Sequence, residues 1–340
     1  MPLFRLRRSG LLLALLLVAQ LCCLTGASLA QPDEPDDRWI FTLQVENDTV
    51  VATDAHYTNG IQVSLLSPET AVPQWLDGIW DQVAPLEQGA GRRVGYTFGQ
   101  TMFTPGDIDR SDLILDDRPY AGWLYGGVSL LSYDENNLGT LSLEVGVVGP
   151  LSLADETQSF WHDVIGVDRA EGWDNQLENE PGLVLSYERK WRRGIAFPLI
   201  GLEVDATPHV GVSLGNIYTY GAGGLTLRIG EELAKDFGPP RIRPSLPGTS
   251  YFLSGRNFDW YLFAGVEGRV VGRNIFLDGN TFRDSHSVDK KLFVGDFQVG
   301  VVLSFYDSVR LAYTHVLRSK EFEGQDDADR FGAVSLSFAF

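Results

Sequence analysis

"WIFTLQVEND", Trp39 to Asp48, sets Trp39, Phe41, Leu43 and Val45 against Ile40, Thr42, Gln44 and Glu46. A period of two is that of an extended chain, whose successive side chains point to opposite faces. The same alternation runs through "YTNGIQVSLLS", "RVGYTFGQTM", "AGWLYGGVSLLSY", "TLSLEVGVVG", "LVLSYERKW" and "LIGLEVDATPHVGVSLG". It continues in "YTYGAGGLTLRIG", "DWYLFAGVEGRVV", "LFVGDFQVGVVLSF", "SVRLAYTHVL" and "FGAVSLSFAF". The pattern predicts an all-β chain of about twelve strands, most near the roughly 9–11 residues that cross a bilayer at a tilt. An even number closes an antiparallel barrel with both of its ends on one side.

A β-sandwich and a lipocalin-like barrel are the soluble competitors. Aromatics decide against them: Trp39, Tyr57, Trp123, Tyr133, Tyr187, Trp191, Trp260 and Tyr313 recur at strand ends, as two interfacial girdles require. Phe340 follows Phe338, Leu336 and Val334 on one face. Such an aromatic last strand is similar to the one that closes outer-membrane barrels and is read by the barrel assembly machinery. After residue 30 no apolar run has helix length, which excludes spanning by helices.

Residues 1–30 read as a signal peptide rather than an anchor: Arg5, Arg7 and Arg8, a short apolar run, then "SLA" before Gln31. "QPDEPDD", 31–37, is a disordered lead-in, and 38–340 is one barrel domain. Both cysteines, Cys22 and Cys23, lie in the signal segment, leaving no thiol, disulfide or thiolate metal site after it. The formal charge of −18 becomes −21 once the three arginines are removed. Such an acidic chain repels phosphate backbones, so nucleic acid is not its partner. It also repels phosphorylated lipids unless a divalent cation bridges them.

If the first strand leaves the periplasm, the outward connections are 48–56, 102–119, 150–181, 215–217, 272–290 and 319–330. The periplasmic ones are 67–92, 134–138, 192–199, 231–257 and 306–307; 67–92 and 231–257 are long enough to hide structure. Unusual polar residues gather on the outward side. Glu46, Asn47 and Asp48 end the first strand; His56, Tyr57, Thr58 and Asn59 begin the second; "DDRPYAGW" begins the fourth. "TQSFWHDVIG" and "GWDNQLENEPG" lie between the fifth and sixth. Carboxylates, amides and a histidine on one rim have the composition of a site.

"DETQSFWHDVI" reads as a short helix in this extracellular loop, capped by Asp155 or Ser152 and ended by Gly166. Its spacing places Gln158, Trp161, His162 and Ile165 on one face. On the residues alone, His162 reads as a satisfied core histidine, and Asp117 with Arg118 as a rim ion pair. No HExxH, paired Cys, P-loop or GxSxG occurs, so zincins, nucleotide enzymes and serine-elbow hydrolases find no support.

"END", "TDAHYTNGIQVSLLS", "GQTMFTP", "DRPYAGWLYGG", "QSFWHDVIG" and "GWDNQLENEPGL", in that order, resemble the outer-membrane lipid A deacylase family over nearly the whole mature chain. The resemblance implies a twelve-stranded barrel that removes the 3-linked acyloxyacyl group from the lipid A of lipopolysaccharide, using a calcium-like divalent cation. It implies that His162 is the general base on a water, with Gln158 one turn earlier, Asn47, Asp48 and Thr58 completing the catalytic set. Asp48 and Glu46 would hold the cation, and Tyr57, Arg110, Arg118 and Trp161 would contact substrate among the outer-membrane lipids. The active site would face the extracellular side. One departure stands out: Phe103 to Arg118 carries no lysine, only Arg110 and Arg118, where family members can grip a lipid A phosphate with lysines. Two other functions compete. A passive pore would ignore His162, and an outer-membrane phospholipase would need a serine patterned with it, which the sequence lacks.

Overall fold

The computed structural model describes residues 37–47, 56–80, 91–192, 194–238, 250–253 and 257–340, with backbone alone at 56–58, 77, 79, 80 and 165. The signal segment, the lead-in up to residue 36 and Asp48 lie outside the described residues.

Thirteen strands form one antiparallel sheet: β1 Ile40–Asn47, β2 His56–Leu66, β3 Gly91–Thr104, β4 Ala121–Tyr133, β5 Asn137–Val148, β6 Glu180–Trp191 and β7 Ile195–Leu199. The sheet continues with β8 Leu202–Gly215, β9 Tyr218–Gly230, β10 Phe258–Asn274, β11 Phe293–Phe305, β12 Val309–Arg318 and β13 Asp329–Ala339. Each pairs with its neighbour, β1 pairs with β13 from Ile40↔Ala339 to Asn47↔Gly332, and β6 pairs with β8. Twelve strands thus close a barrel, as the alternation predicts, and closure leaves none of them an edge to cap.

The extra strand is β7, which falls in 192–199, a stretch the sequence reads as a connection. It pairs only with β8, prolonging the line of β6 below that strand's end. With a single partner, β7 tolerates Pro198, whose missing N–H would break a two-sided ladder. The long lower connections hold structure too: α1 Gln74–Trp80 after β2, and after β9 a short turn, Leu233–Lys235, with a bridge from Asp236 to Phe252.

The barrel is inside out relative to a soluble one. Phe41, Leu43, Phe98, Val145, Leu185 and Leu227 project outward and are exposed, while Gln44, Glu144, Glu188, Arg228, Glu267 and Arg269 are buried in the lumen. Apolar side chains outside and charges inside are stable only with hydrocarbon as the outer solvent. Among the described residues no helix is long and apolar enough to cross a membrane, so the strands do the crossing.

Side chains fill the lumen. Towards the end where β1 finishes, Phe103, Trp123, Tyr125, Tyr218 and Tyr220 pack with Phe276 of α3 (Ile275–Asp278), a single turn capped by Asn274 through the Phe276 N–H. Trp123 and Tyr133, expected in the outer girdles, instead face inward: Trp123 stacks on Tyr125 and Tyr133 packs against Tyr251. An aromatic ring at a strand end satisfies either face of such a wall, because the plug itself needs apolar bulk. Charges bridge the remaining gap, with Asp296 receiving both Arg269 and Arg318 at 2.9–3.0 Å. A lumen cavity beside Ser64, Thr97 and Ser142 measures about 50 Å³, room for a water or two rather than a hydrated ion path. In planar bilayers this barrel is expected to show no stepwise ion conductance; open channels of steady unitary current would contradict the plugged lumen.

Candidate active site

The register carries one row of residues around the outer wall. Asn47 of β1 faces Asn59 of β2, Asn59 faces Met102 of β3, and Met102 faces Gly122 of β4. Asn47 shares its face with the outward Phe41 and Leu43, and Gly122 alternates with the lumen residues Ala121 and Trp123. The row therefore lies on the lipid-facing side, where polar groups are out of place. Yet Asn47, Asn59 and Met102 are all buried. Over β3 and β4 this wall is covered by the connection after β5.

That connection opens with Gly149 at φ 93°, a turn over Pro150–Ser152 and Leu153 at φ 58°, which lead into helix α2, Ala154–Ile165. Neither Asp155 nor Ser152 caps it. Leu153 stands at the N-cap in a left-handed conformation, with no side-chain cap bond. The stop is as expected: Gly166, at φ 78°, returns its N–H to His162 O. Gln100 Nε2 donates to Ser152 O at 2.6 Å and pins the turn to the wall. The helix then presses on Gly122, where an added Cβ would stand 2.2 Å from both Ala154 Cβ and Ser152 Oγ. Gly122→Val should lever α2 off the wall while leaving the strand ladder intact. Heat-shifted gel mobility should report a folded barrel, and accelerated cleavage at the 150–180 connection by a protease should report the lifted helix.

The buried stripe of α2 is Ala154, Gln158 and His162, spaced by four. Trp161 does not share it: it is 38% exposed, beside Phe160 and Val164 at 66% and 60%. This apolar outer side of the helix continues the lipid-facing surface of the barrel. The face expected from the sequence thus divides, with Gln158 and His162 turned to the wall and Trp161 turned away.

Both inward polar groups are oriented. His162 Nδ1 lies 2.5 Å from Asp168 O. A carbonyl can only accept, so Nδ1 carries the hydrogen, and in the neutral ring Nε2 is the acceptor. The fold-back that delivers Asp168 depends on the Gly166 turn and on an exposed Asp163–Arg169 pair at 2.5 Å, whose hydrogen bond holds the Asp163 carboxyl below its usual range. Gln158 Oε1 accepts the Trp173 indole N–H at 2.6 Å, while Gln158 Nε2 is buried and has no partner among the described residues. Trp173 packs with Met102, Tyr120 and Ala154, which ties α2 to the Asn47–Gly122 row. Burial pushes the Tyr120 hydroxyl up to about 12, so it stays a neutral ring in this cluster.

The other expected site residues divide. The β2–β3 register skips between Tyr57 and Asn59, making Thr58 the extra residue of a β-bulge, a device that re-aims a strand beside a site. The side chains of Tyr57 and Thr58, and all of Asp48, lie outside the described residues. Glu46, expected as a cation ligand, has the opposite parity to Asn47: it sits in the lumen and accepts from Gln44 at 2.7 Å. The wall separates it from α2, which removes it from the site. Arg118, expected at the substrate, is fully buried over the Phe103 ring at 5.0 Å and pairs with Glu321 at 3.4 Å. Asp117 meanwhile accepts the Gly106 and Arg118 backbone N–H groups, so the expected rim pair gives way to a lumen plug and a loop clamp. Arg110 is exposed and pairs with Asp112.

Sequence reading assigned no role to Asn59, Trp173 or Gly122. Asn59 had a signal: it shares the parity of Ile61, Val63 and Leu65, an amide at the end of a lipid-facing row. The described candidate residues Asn47, Asn59, Gln158 and His162 thus lie on the outside of the wall rather than over the mouth. Asn59 Oδ1 is buried without a partner among the described residues, an oxygen suited to a hard cation. No group of three or more His, Cys, Asp or Glu gathers around a metal position among them.

A closed, plugged barrel whose lipid-facing wall carries a docked helix with inward polar groups defines an outer-membrane barrel protein. Comparison places it further. The profile of the family described as "Outer membrane protein LpxR" matches residues 11–340, and the chain belongs to that family. Among solved structures, LpxR from Salmonella typhimurium aligns with a TM-score of 0.71 at 20% identity, over 88% of this chain and 100% of that one. The β domain of the Bordetella autotransporter BrkA aligns at 0.42 and 11% identity, over 89% and 99%. The translocator domain of NalP from Neisseria meningitidis aligns at 0.38 and 11%, over 96% and 94%. No curated protein matches.

Proposed function

We propose that this barrel is a carboxylic ester hydrolase that removes the 3-linked acyloxyacyl group from lipid A on the extracellular side of the outer membrane. The observation that carries the reading is the burial of Gln158 and His162 on the side of α2 that packs on the lipid-facing wall at β3 and β4, in the same register row as the buried amides Asn47 and Asn59. A lipid already in the outer leaflet would approach this wall sideways, its chains along the exposed Phe160, Trp161 and Val164.

The chemistry follows from the atoms. With Nδ1 committed to Asp168 O, His162 Nε2 takes a proton from a water as the oxygen attacks the ester carbonyl carbon. The carbonyl oxygen gains charge within reach of a hydrogen-bond donor, for which Gln158 Nε2 is available. Collapse expels the sugar 3-oxygen, and the imidazolium returns the proton to it, leaving a fatty acid and a free hydroxyl. Asn47 would contribute from the end of β1, and the family resemblance adds Thr58 to the catalytic set and Tyr57 to the substrate contacts. Arg110 meets a lipid A phosphate by releasing Asp112. Asp48 and Asn59 would hold a divalent cation, calcium being the first to test, and when bound it would polarise the carbonyl and neutralise the oxyanion.

Mass spectrometry of purified lipid A incubated with the reconstituted protein tests this. The expected product is lighter by one acyloxyacyl group, and lipid A of unchanged mass would overturn the hydrolase reading. Prior dialysis against a chelator should abolish the reaction and added calcium restore it; indifference to chelation would remove the cation alone.

A further inference from the structure

Trp173 is fifteen residues beyond Gln158 in the chain, yet its indole N–H reaches that side chain at 2.6 Å. An indole nitrogen donates and never accepts. Only the amide oxygen of Gln158 can therefore face it, and the opposite end of the amide must be the NH₂ group. That group is buried and has no partner among the described residues, one helical turn before His162 on the same stripe. Trp173 is itself held on several sides. Its ring lies 5.1 Å from that of Tyr120, and the Leu177 and Gln176 N–H groups close the turn onto Tyr120 O and Trp173 O at 2.9 and 3.1 Å. Gly172 allows this approach, since a Cβ there would come within 2.3 Å of the Tyr120 ring.

We propose that Trp173 is a positioning residue for the hydrolysis: its indole locks the Gln158 amide so that the NH₂ end, not the carbonyl, meets the oxygen on which charge develops. A glutamine free to rotate would spend part of its time presenting an acceptor there, which repels the oxyanion. Gln158 is thereby assigned as a donor to the transition state rather than as an acceptor that orients the water.

The role rests on the hydrolase reading, and a double-mutant cycle on lipid A separates the two. Trp173→Phe keeps a ring and removes the N–H. It should lower kcat by about 10–100-fold with KM within about twofold, because the lost alignment matters only where charge develops. In a Gln158→Ala background the same change should alter kcat by less than about twofold. Equal losses in both backgrounds, or a change confined to KM, would overturn the positioning role. Gln158→Glu gives an arm that leaves Trp173 intact: it still accepts the indole N–H but offers only lone pairs at the other end, so it should lose as much activity as Gln158→Ala. Retained activity in Gln158→Glu would overturn the donor assignment. A wild type that cleaves no lipid A ester sinks the hydrolase reading and this role with it; an active wild type with a fully active Trp173→Phe sinks the role alone.

Discussion

His162→Ala should yield a folded, inserted barrel whose lipid A deacylation is reduced by about 10²–10⁴-fold, the usual contribution of a positioned general base. The expectation of normal folding has a structural reason. His162 sits on α2, outside the strand ladder, and the Gly166 turn is closed by the backbone oxygen of residue 162 rather than by the imidazole. Removing the ring leaves Asp168 O without its side-chain partner, a local cost on the order of 1 kcal/mol, small for a closed barrel. Were His162 only a packed core residue, the same substitution would loosen the loop and spare the chemistry. Rates of fatty acid release, measured beside heat-shifted gel mobility, distinguish the two. A folded variant retaining more than about a tenth of wild-type rate would end the assignment of His162 as base.

The barrel was legible because one physical rule, the period of two, repeats along nearly every segment, and membrane width sets its length. The faces were less legible. In "AGWLYGGVSLLSY" both parities are apolar, one side meeting lipid and the other the aromatic plug, so Trp123 and Tyr133 gave no sign of pointing inward. The same ambiguity affects α2: a membrane-facing Trp161 and a wall-facing Gln158 both fit an amphipathic helix, since lipid and protein are equally good apolar partners. Leu153 at the N-cap carries no sequence signal, because its left-handed backbone belongs to the Gly149–Ser152 turn docked on β3 through Gln100 and on β4 through Gly122. Parity, by contrast, held unused information. It puts Glu46 and Asn47 on opposite sides of the wall, which separates the lumen carboxylate from the outer amide row before any coordinates are seen. The β-bulge at Thr58 and the Trp173–Gln158 bond are tertiary facts, set by pairing and packing across distant segments.

The largest effect on stability is expected at Asp236, below β9. Its carboxylate binds Arg228, Arg310 and the Tyr261 hydroxyl, the last at 2.7 Å, and also accepts the Gly238 N–H at 3.0 Å. Burial alone would push this carboxyl up; Arg310 and Arg228 together outweigh it and hold it below the usual carboxylate range. Arg228 has a second carboxylate, Asp205, at 2.8 Å, whereas Asp236 is the acid bound to Arg310. Asp236→Ala therefore leaves a guanidinium buried without its counter-ion, a loss of about 3–5 kcal/mol. Adding Arg310→Leu should recover most of it, because the charge whose burial was compensated is then gone as well. The linkage has a definite sign. A carboxyl whose folded pKa is depressed stabilises above its unfolded value, about 3.9, and the benefit disappears as pH falls through the lower folded value. Unfolding midpoints in denaturant, followed on detergent-refolded protein at neutral pH and again in strong acid, should show the wild-type advantage over Asp236→Ala shrinking only in acid. An Asp236→Ala barrel within about 1 kcal/mol of wild type at neutral pH would mean that water reaches this end of the lumen and solvates Arg310 in place of the lost carboxylate.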